Sequence, residues 1–149
     1  MQEAYKEAKK AYLKGEIPVG AVVVLNDKII ARAHNLREKD QSVISHAEIN
    51  AIKKASLKLG SWRLEDCDLY VTLEPCPMCS GAIIQARIKN LYYGAKDLKT
   101  GVANSVFNIF AYPFNHKVNV TGGLMEEECS SIIKDFFKSL RKKDIDKVE

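Results

Sequence analysis

The strings His46-Ala47-Glu48 and Pro75-Cys76-Pro77-Met78-Cys79 bring together the residue types of a hydrolytic metal site. Cysteines at i and i+3 lie about 60° apart around a helix, so both thiolates can reach one ion from a single turn. The imidazole of His46 supplies a third ligand of the kind zinc takes, and three protein ligands leave one tetrahedral position open for water. Zinc brings the pKa of such a water toward neutrality. Glu48, two residues past the imidazole, is placed to take its proton. That machinery suits attack of zinc-bound hydroxide on an sp² carbon bearing an amino group, where a ring nitrogen is protonated and ammonia leaves.

Each of these residues has a plainer reading. Ser45-His46-Ala47-Glu48 also fits a capping box, with Ser45 as the N-cap and Glu48 reaching back to its amide. Cys76 and Cys79 fit a thiol redox pair. A closed structural zinc would need a fourth ligand from His34, His116, Cys67 or Cys129, none of which has paired spacing with either string. Cys67 and Cys129 read as small packing residues instead.

The elements around these strings are expected in a definite order. A short amphipathic helix spans 4–13, with Gly15 to end it. Val19–Leu25 and Ile29–Ala33 form a hairpin across Asn26-Asp27-Lys28, closed by Asn35. A polar loop from Arg37 to Val43 leads to a helix that begins near Ser45 and has Gly60 beyond its end. A strand Asp68–Leu73 precedes a helix from Pro75 or Cys76 to about Ile88. Leu91–Tyr93 is a strand with Gly94 as exit. Lys96–His116 is mostly loop, with a short helix near Val106–Phe110. Val118–Thr121 is a last strand, and a helix runs from about Met125 to Lys142 with its apolar face set by Cys129, Ile132, Ile133, Phe136, Phe137 and Leu140. The order implies one sheet with helices on its faces, and both ligand strings fall at helix starts, where free amides favour thiolates.

Over 149 residues the chain is 46% hydrophobic and 28% charged, enough for one domain with a real core and no disulfides. No apolar run spans a bilayer, and the early Glu3, Lys6, Glu7, Lys9 and Lys10 exclude a secretory leader. The expected location is the cytoplasm. The net charge of +4 favours an anionic partner. Its distribution is uneven: Lys134, Lys138, Arg141, Lys142 and Lys143 face only Asp135. This cluster reads either as a solvated helix end whose cations complement the dipole or as a polyanion contact.

The H-x-E and P-C-x-x-C strings resemble the signature of the cytidine/deoxycytidylate deaminase superfamily. The chain is closer still to the bacterial tRNA-specific adenosine deaminase family, the TadA type. That resemblance extends through Gly15–Ala21, Asn35, Leu69–Cys76, Gly94–Asp97, Lys99-Thr100-Gly101, Asn115-His116 and Asp135-Phe136-Phe137. It implies an α/β fold of the cytidine deaminase type, a single three-layer domain over 1–149 with a mixed central β-sheet and helices on both faces.

By the same resemblance His46, Cys76 and Cys79 hold one zinc per chain, and Glu48 is the proton shuttle. Asn35 is then a hydrogen-bonding partner of the target purine. Asp97 and Lys99 lie in a loop beside the substrate strand, and Phe137 and Arg141 sit on the helix that helps hold a tRNA anticodon loop. The implied reaction is hydrolysis of adenosine to inosine at the wobble position, by a homodimer. One departure is visible. Where family members commonly carry a histidine before the Asn-His pair, this chain has Tyr112, which keeps stacking but alters the context preference for the flanking nucleotide.

Overall fold

The computed structural model describes residues 1–148. Five strands form one sheet in the order β2-β1-β3-β4-β5. Strand β1 (Gly20–Leu25) pairs antiparallel with β2 (Lys28–His34) and with β3 (Asp68–Leu73). Strands β4 (Asn90–Ala95) and β5 (Asn119–Thr121) continue parallel to β3. The sheet is therefore mixed, as expected.

Helices α1 (Gln2–Leu13) and α5 (Glu126–Val148) pack on one face, α1 against β1 and β2 and α5 against β4. On the other face lie α3 (Ala47–Leu59), packed on β2 and β1, and α4 (Pro77–Gln85), packed on α3. The core between them is built from small and branched residues. Ala47, Ala51 and Ala55 of α3 are fully buried against a sheet that offers Val23, Leu69 and Val71. Alanine at that spacing lets helix and sheet approach closely, and the close packing makes each methyl count.

Local chemistry explains the boundaries. The hairpin turns at Asn26 and Asp27, both with positive φ (50° and 62°), the two-residue turn whose twist matches the strands. Helix α1 ends at Gly15 (φ 75°), where the amides of Gly15 and Glu16 return to the carbonyls of Tyr12 and Ala11.

Several expected boundaries shift. Arg37–Asp40 is a turn of helix, α2, rather than loop. Its first amides are held by Glu16, whose carboxylate accepts from Glu38 N at 2.9 Å and Lys39 N at 2.8 Å. Gly94 does not end β4, which runs on to Ala95. A Cβ at Gly94 would stand 2.6 Å from Cys129 Sγ, so glycine is what lets α5 sit on the strand. Helix α4 stops at Gln85, since Arg87 turns to φ 65°. The short helix expected near Val106–Phe110 is a 3₁₀ turn at Ile109–Ala111. Helix α5 continues to Val148, well past Lys142.

Candidate active site

Both ligand strings sit where an extended segment turns into a helix. Cys76 (φ −75°, ψ 173°) is the N-cap of α4 and Pro77 its first residue, where the missing N–H costs no helical bond. Cys79 follows within the first turn and is fully buried. His46 (φ −84°, ψ 156°) is the N-cap of α3. Neither side chain makes a capping bond to the backbone of its helix, and the two turn to each other. His46 Nδ1 lies 3.7 Å from Cys76 Sγ and 3.5 Å from Cys79 Sγ. All three donor atoms lie within 4.8 Å of one another. Tetrahedral zinc with ordinary Zn–N and Zn–S lengths separates its donors by about 3.5–3.8 Å, so these residues fit one such ion with little movement.

Among the described residues no other His, Cys, Asp or Glu joins the group. His34 is engaged by Glu7 and Lys14 at 3.0 Å each, and His116 Nε2 meets Ile88 O at 2.7 Å. Cys67 and Cys129 are buried packing residues, as expected. The set thus has three protein ligands and room for a fourth, non-protein one.

The capping box is absent. Ser45 Oγ donates to Asp40 Oδ2 at 2.6 Å and accepts from Asn50 Nδ2 at 3.1 Å, and His46 takes the cap position that the sequence assigns to Ser45. Glu48 therefore makes no bond back to the Ser45 amide. Its side chain is buried beside the cluster, and burial pushes the carboxyl up to about 7 against a hydrogen bond from its own backbone amide, with the Cys76 charge adding to the rise and His46 opposing it. A base poised near neutrality accepts and returns a proton with least loss either way.

The sulfurs divide their roles. The hydrogen bond from Cys79 pulls the Cys76 thiol down to about 4 against its burial, with His46 helping. The Cys79 thiol is pushed up by that same bond, by burial and by the Glu48 charge. The Cys76 contact in turn raises His46 above its ordinary value despite burial. Negative charge concentrated on one sulfur, beside a second sulfur and an imidazole, is the electrostatic complement of a cation.

His46, Cys76 and Glu48 line a cavity of about 510 Å³, with Cys79 buried behind them. Asn35 and Arg37, the segment 96–100, and Ile133 and Phe137 of α5 line it as well. Asn35 is buried, its Nδ2 donating to Ile17 O at 3.2 Å and its Oδ1 accepting from Arg37 N at 3.1 Å. One amide hydrogen remains to face the cavity. Asp97 organises its own loop, accepting from Lys99 N, Thr100 N and Thr100 Oγ at 3.2, 3.1 and 2.7 Å. Lys99 and Phe137 are at the rim, both exposed.

Arg141 lies one helical turn past Phe137, exposed and outside the cavity lining. Tyr112 also lies outside it, edge-on to Phe107 at 6.3 Å. The cations 134–143 are not at a helix end, because α5 runs to Val148 and its last turn holds Lys147. The dipole therefore gives no reason for their clustering.

Two residues of the site carry no role in the sequence reading. Glu16 holds α2, and with it the wall behind Arg37. Glu74 is 2% exposed and holds the opposite loop through Asp97 N, Ala103 N, Ser105 N and Ser105 Oγ. For Glu74 the available signal is an acidic residue at the end of an apolar strand with no basic neighbour in sequence.

The chain matches the MafB19-like deaminase family over residues 1–141. It is 53% identical over 144 residues to the tRNA-specific adenosine deaminase of Bacillus subtilis (strain 168), covering 96% of this chain and 89% of that one. A structure solved in a study of A-to-I editing at the wobble position of transfer RNA is 46% identical, with a TM-score of 0.86, and the match covers 89% of this chain and 96% of the other. A guanine deaminase from Bacillus subtilis is 32% identical with a TM-score of 0.63, over 95% and 90% of the two chains. With the His46/Cys76/Cys79 cluster and the buried Glu48 beneath a common cavity, these similarities place the chain among the MafB19-like deaminases, in the TadA-type family of bacterial tRNA-specific adenosine deaminases.

Proposed function

We propose that this chain deaminates adenosine to inosine at the wobble position of a tRNA anticodon. The observation that carries the chemistry is the buried Glu48 carboxyl beside an open three-ligand cluster at the base of a cavity. We assign the ion as one zinc per chain, held by His46, Cys76 and Cys79. When bound, it acts as a Lewis acid toward a water and makes its proton easier to remove. Glu48 would take the first proton of that water and deliver it to N1 of the purine as C6 is attacked, then carry the second proton from the new C6 hydroxyl to the amino group, so that ammonia leaves as the carbonyl forms. The free amide hydrogen of Asn35 orients the base, and Phe137 offers a face on which a splayed neighbour stacks.

An anticodon loop suits this cavity because its bases are already unpaired, so extruding one is inexpensive. Lys99 at the rim and Arg141 farther along α5 are placed to meet phosphates. The exposed Phe107, Tyr112 and Phe114 give a second copy an apolar surface to cover, in keeping with a homodimer. Among the described residues no helix is long and apolar enough to cross a membrane, and a tRNA substrate fits a cytoplasmic enzyme.

The deciding experiment compares ammonia release from an anticodon stem-loop RNA carrying wobble adenosine with release from free adenosine, guanine and cytidine. Turnover on the RNA alone supports the reading. Turnover on guanine with none on the RNA overturns it in favour of a free-base deaminase.

A further inference from the structure

Glu74 is the last residue before Pro75-Cys76 and is almost wholly buried. One carboxylate oxygen accepts from Asp97 N at 3.1 Å and Ser105 Oγ at 2.5 Å, the other from Ala103 N at 3.0 Å and Ser105 N at 3.1 Å. Four donors occupy the roughly four lone-pair sites of a carboxylate, so none is left over for a ligand. Among the described residues no Lys, Arg or His forms an ion pair with it. Its partners are instead three residues of one loop, 97–105, whose first part, 97–100, lines the same cavity as Asn35 and Glu74 itself.

The loop backbone is fitted around this group. A Cβ at Gly101 would stand 2.4 Å from Glu74 Cδ and 2.6 Å from Oε2, so the chain closes over the carboxylate only because residue 101 has none. Two backbone bonds run alongside, Val102 N to Pro75 O at 3.0 Å and Glu74 N to Ala95 O at 2.8 Å. They fix the base of the loop. Gly101 N also returns to Asp97 O at 2.9 Å within the loop, and it is the carboxylate that joins Asp97 at one end to Ala103 and Ser105 at the other.

We infer that Glu74 is a positioning residue, one that sets the shape of the 97–105 wall and thereby how tightly the RNA is held, without touching the substrate. The inference rests on the reading of the cavity as an RNA site. Glutamine at 74 keeps the shape but replaces two acceptor sites with two N–H groups, which then face the loop's own donors.

The test measures KM and kcat on the anticodon stem-loop, bound metal, and amide hydrogen exchange across 96–106 for Glu74→Gln. Loss of hydrogen bonds to a charged acceptor should raise KM by about tenfold to a hundredfold. Exchange across 97–105 should quicken, while kcat and metal content stay near the parent's. Ser105→Ala, which removes one donor and keeps the carboxylate, should shift both readouts the same way by less, and carries the test if Glu74→Gln does not fold. Thr72→Val is the control for mere destabilisation, since Thr72 is buried on the same strand but accepts from Gly20 N at 3.1 Å on the far side.

Unchanged exchange across the loop overturns the proposal. So does an equal rise in KM for Thr72→Val, or a fall in kcat and metal with KM unmoved. If the parent itself does not act on the stem-loop, the RNA reading falls separately, and loop exchange alone decides whether Glu74 is the clamp.

Discussion

His46 Nδ1 stands 3.5 Å from Cys79 Sγ, a contact that joins the residue before α3 to the first turn of α4 across 33 positions of sequence. It is made without disturbing either helix, because both begin with a residue whose side chain is not spent on capping.

Metal content follows from that contact. Purified protein should hold about one zinc per chain, and Cys76→Ala and Cys79→Ala should each lose nearly all of it, as read by elemental analysis. Chelation should also lower the melting temperature, since an ion that binds only the folded chain stabilises it. Full metal in both variants would remove the cluster from consideration.

Glu48→Gln should separate chemistry from structure. With the amide close in shape, metal content and melting should stay near the parent's, while deamination falls by about 10²- to 10⁴-fold. A large loss of stability with turnover preserved would mean that the carboxyl serves the fold.

On α5, Lys138, Arg141 and Lys142 fall at i, i+3 and i+4 and are all exposed. Replacing the three with Gln should weaken stem-loop binding and flatten its salt dependence, by about 0.7 in slope for each phosphate that is no longer neutralised. Binding titrations at several salt concentrations check this. Identical slopes would leave the cluster a solvated face.

The interface between α1 and β2 gives a pH prediction. Burial would raise Glu7, but hydrogen bonds from Lys10 and His34 outweigh it and hold the carboxyl below its ordinary 4.5. A carboxyl depressed on folding contributes stability above its unfolded pKa and loses it as pH falls through the folded value. Glu7→Gln should therefore melt lower than the parent, by about 1–3 kcal/mol in stability at pH 7. The gap should persist from pH 8 to 5 and close below about pH 4; a gap unchanged at pH 3 would contradict the charge-based account.

What the sequence made legible was chemistry written in close spacing. Cys76 and Cys79 one turn apart, and His46 at a second helix start, needed only helix geometry to be read as one site. The hairpin at Asn26-Asp27 and the apolar stripe of Cys129, Ile132 and Phe136 were equally local. The misreadings have a common physical cause. Ser45 looks like a cap until Asp40 takes its hydroxyl, α2 has no visible reason to form until Glu16 arrives from 22 residues away, and Gly94 looks like an exit until Cys129 is packed on it. Buried carboxylates that collect amides from distant loops leave no periodic trace, which is why Glu16 and Glu74 went without a role.

Helix α5 is one element with two stabilities. Its inner half is anchored by Cys129, Ile132 and Phe136, whereas 137–148, about 18 Å of helix, contains no buried residue. Helix propensity leaves an unsupported stretch of that length marginal in water. Opening it uncovers no core, so fraying there is uncoupled from global unfolding. Conformational freedom kept until contact lowers net affinity but widens the capture radius for a charged partner. On the proposed reading, the basic part of α5 is thus suited to first encounter, and discrimination would fall to the cavity lined by Asn35 and 97–100.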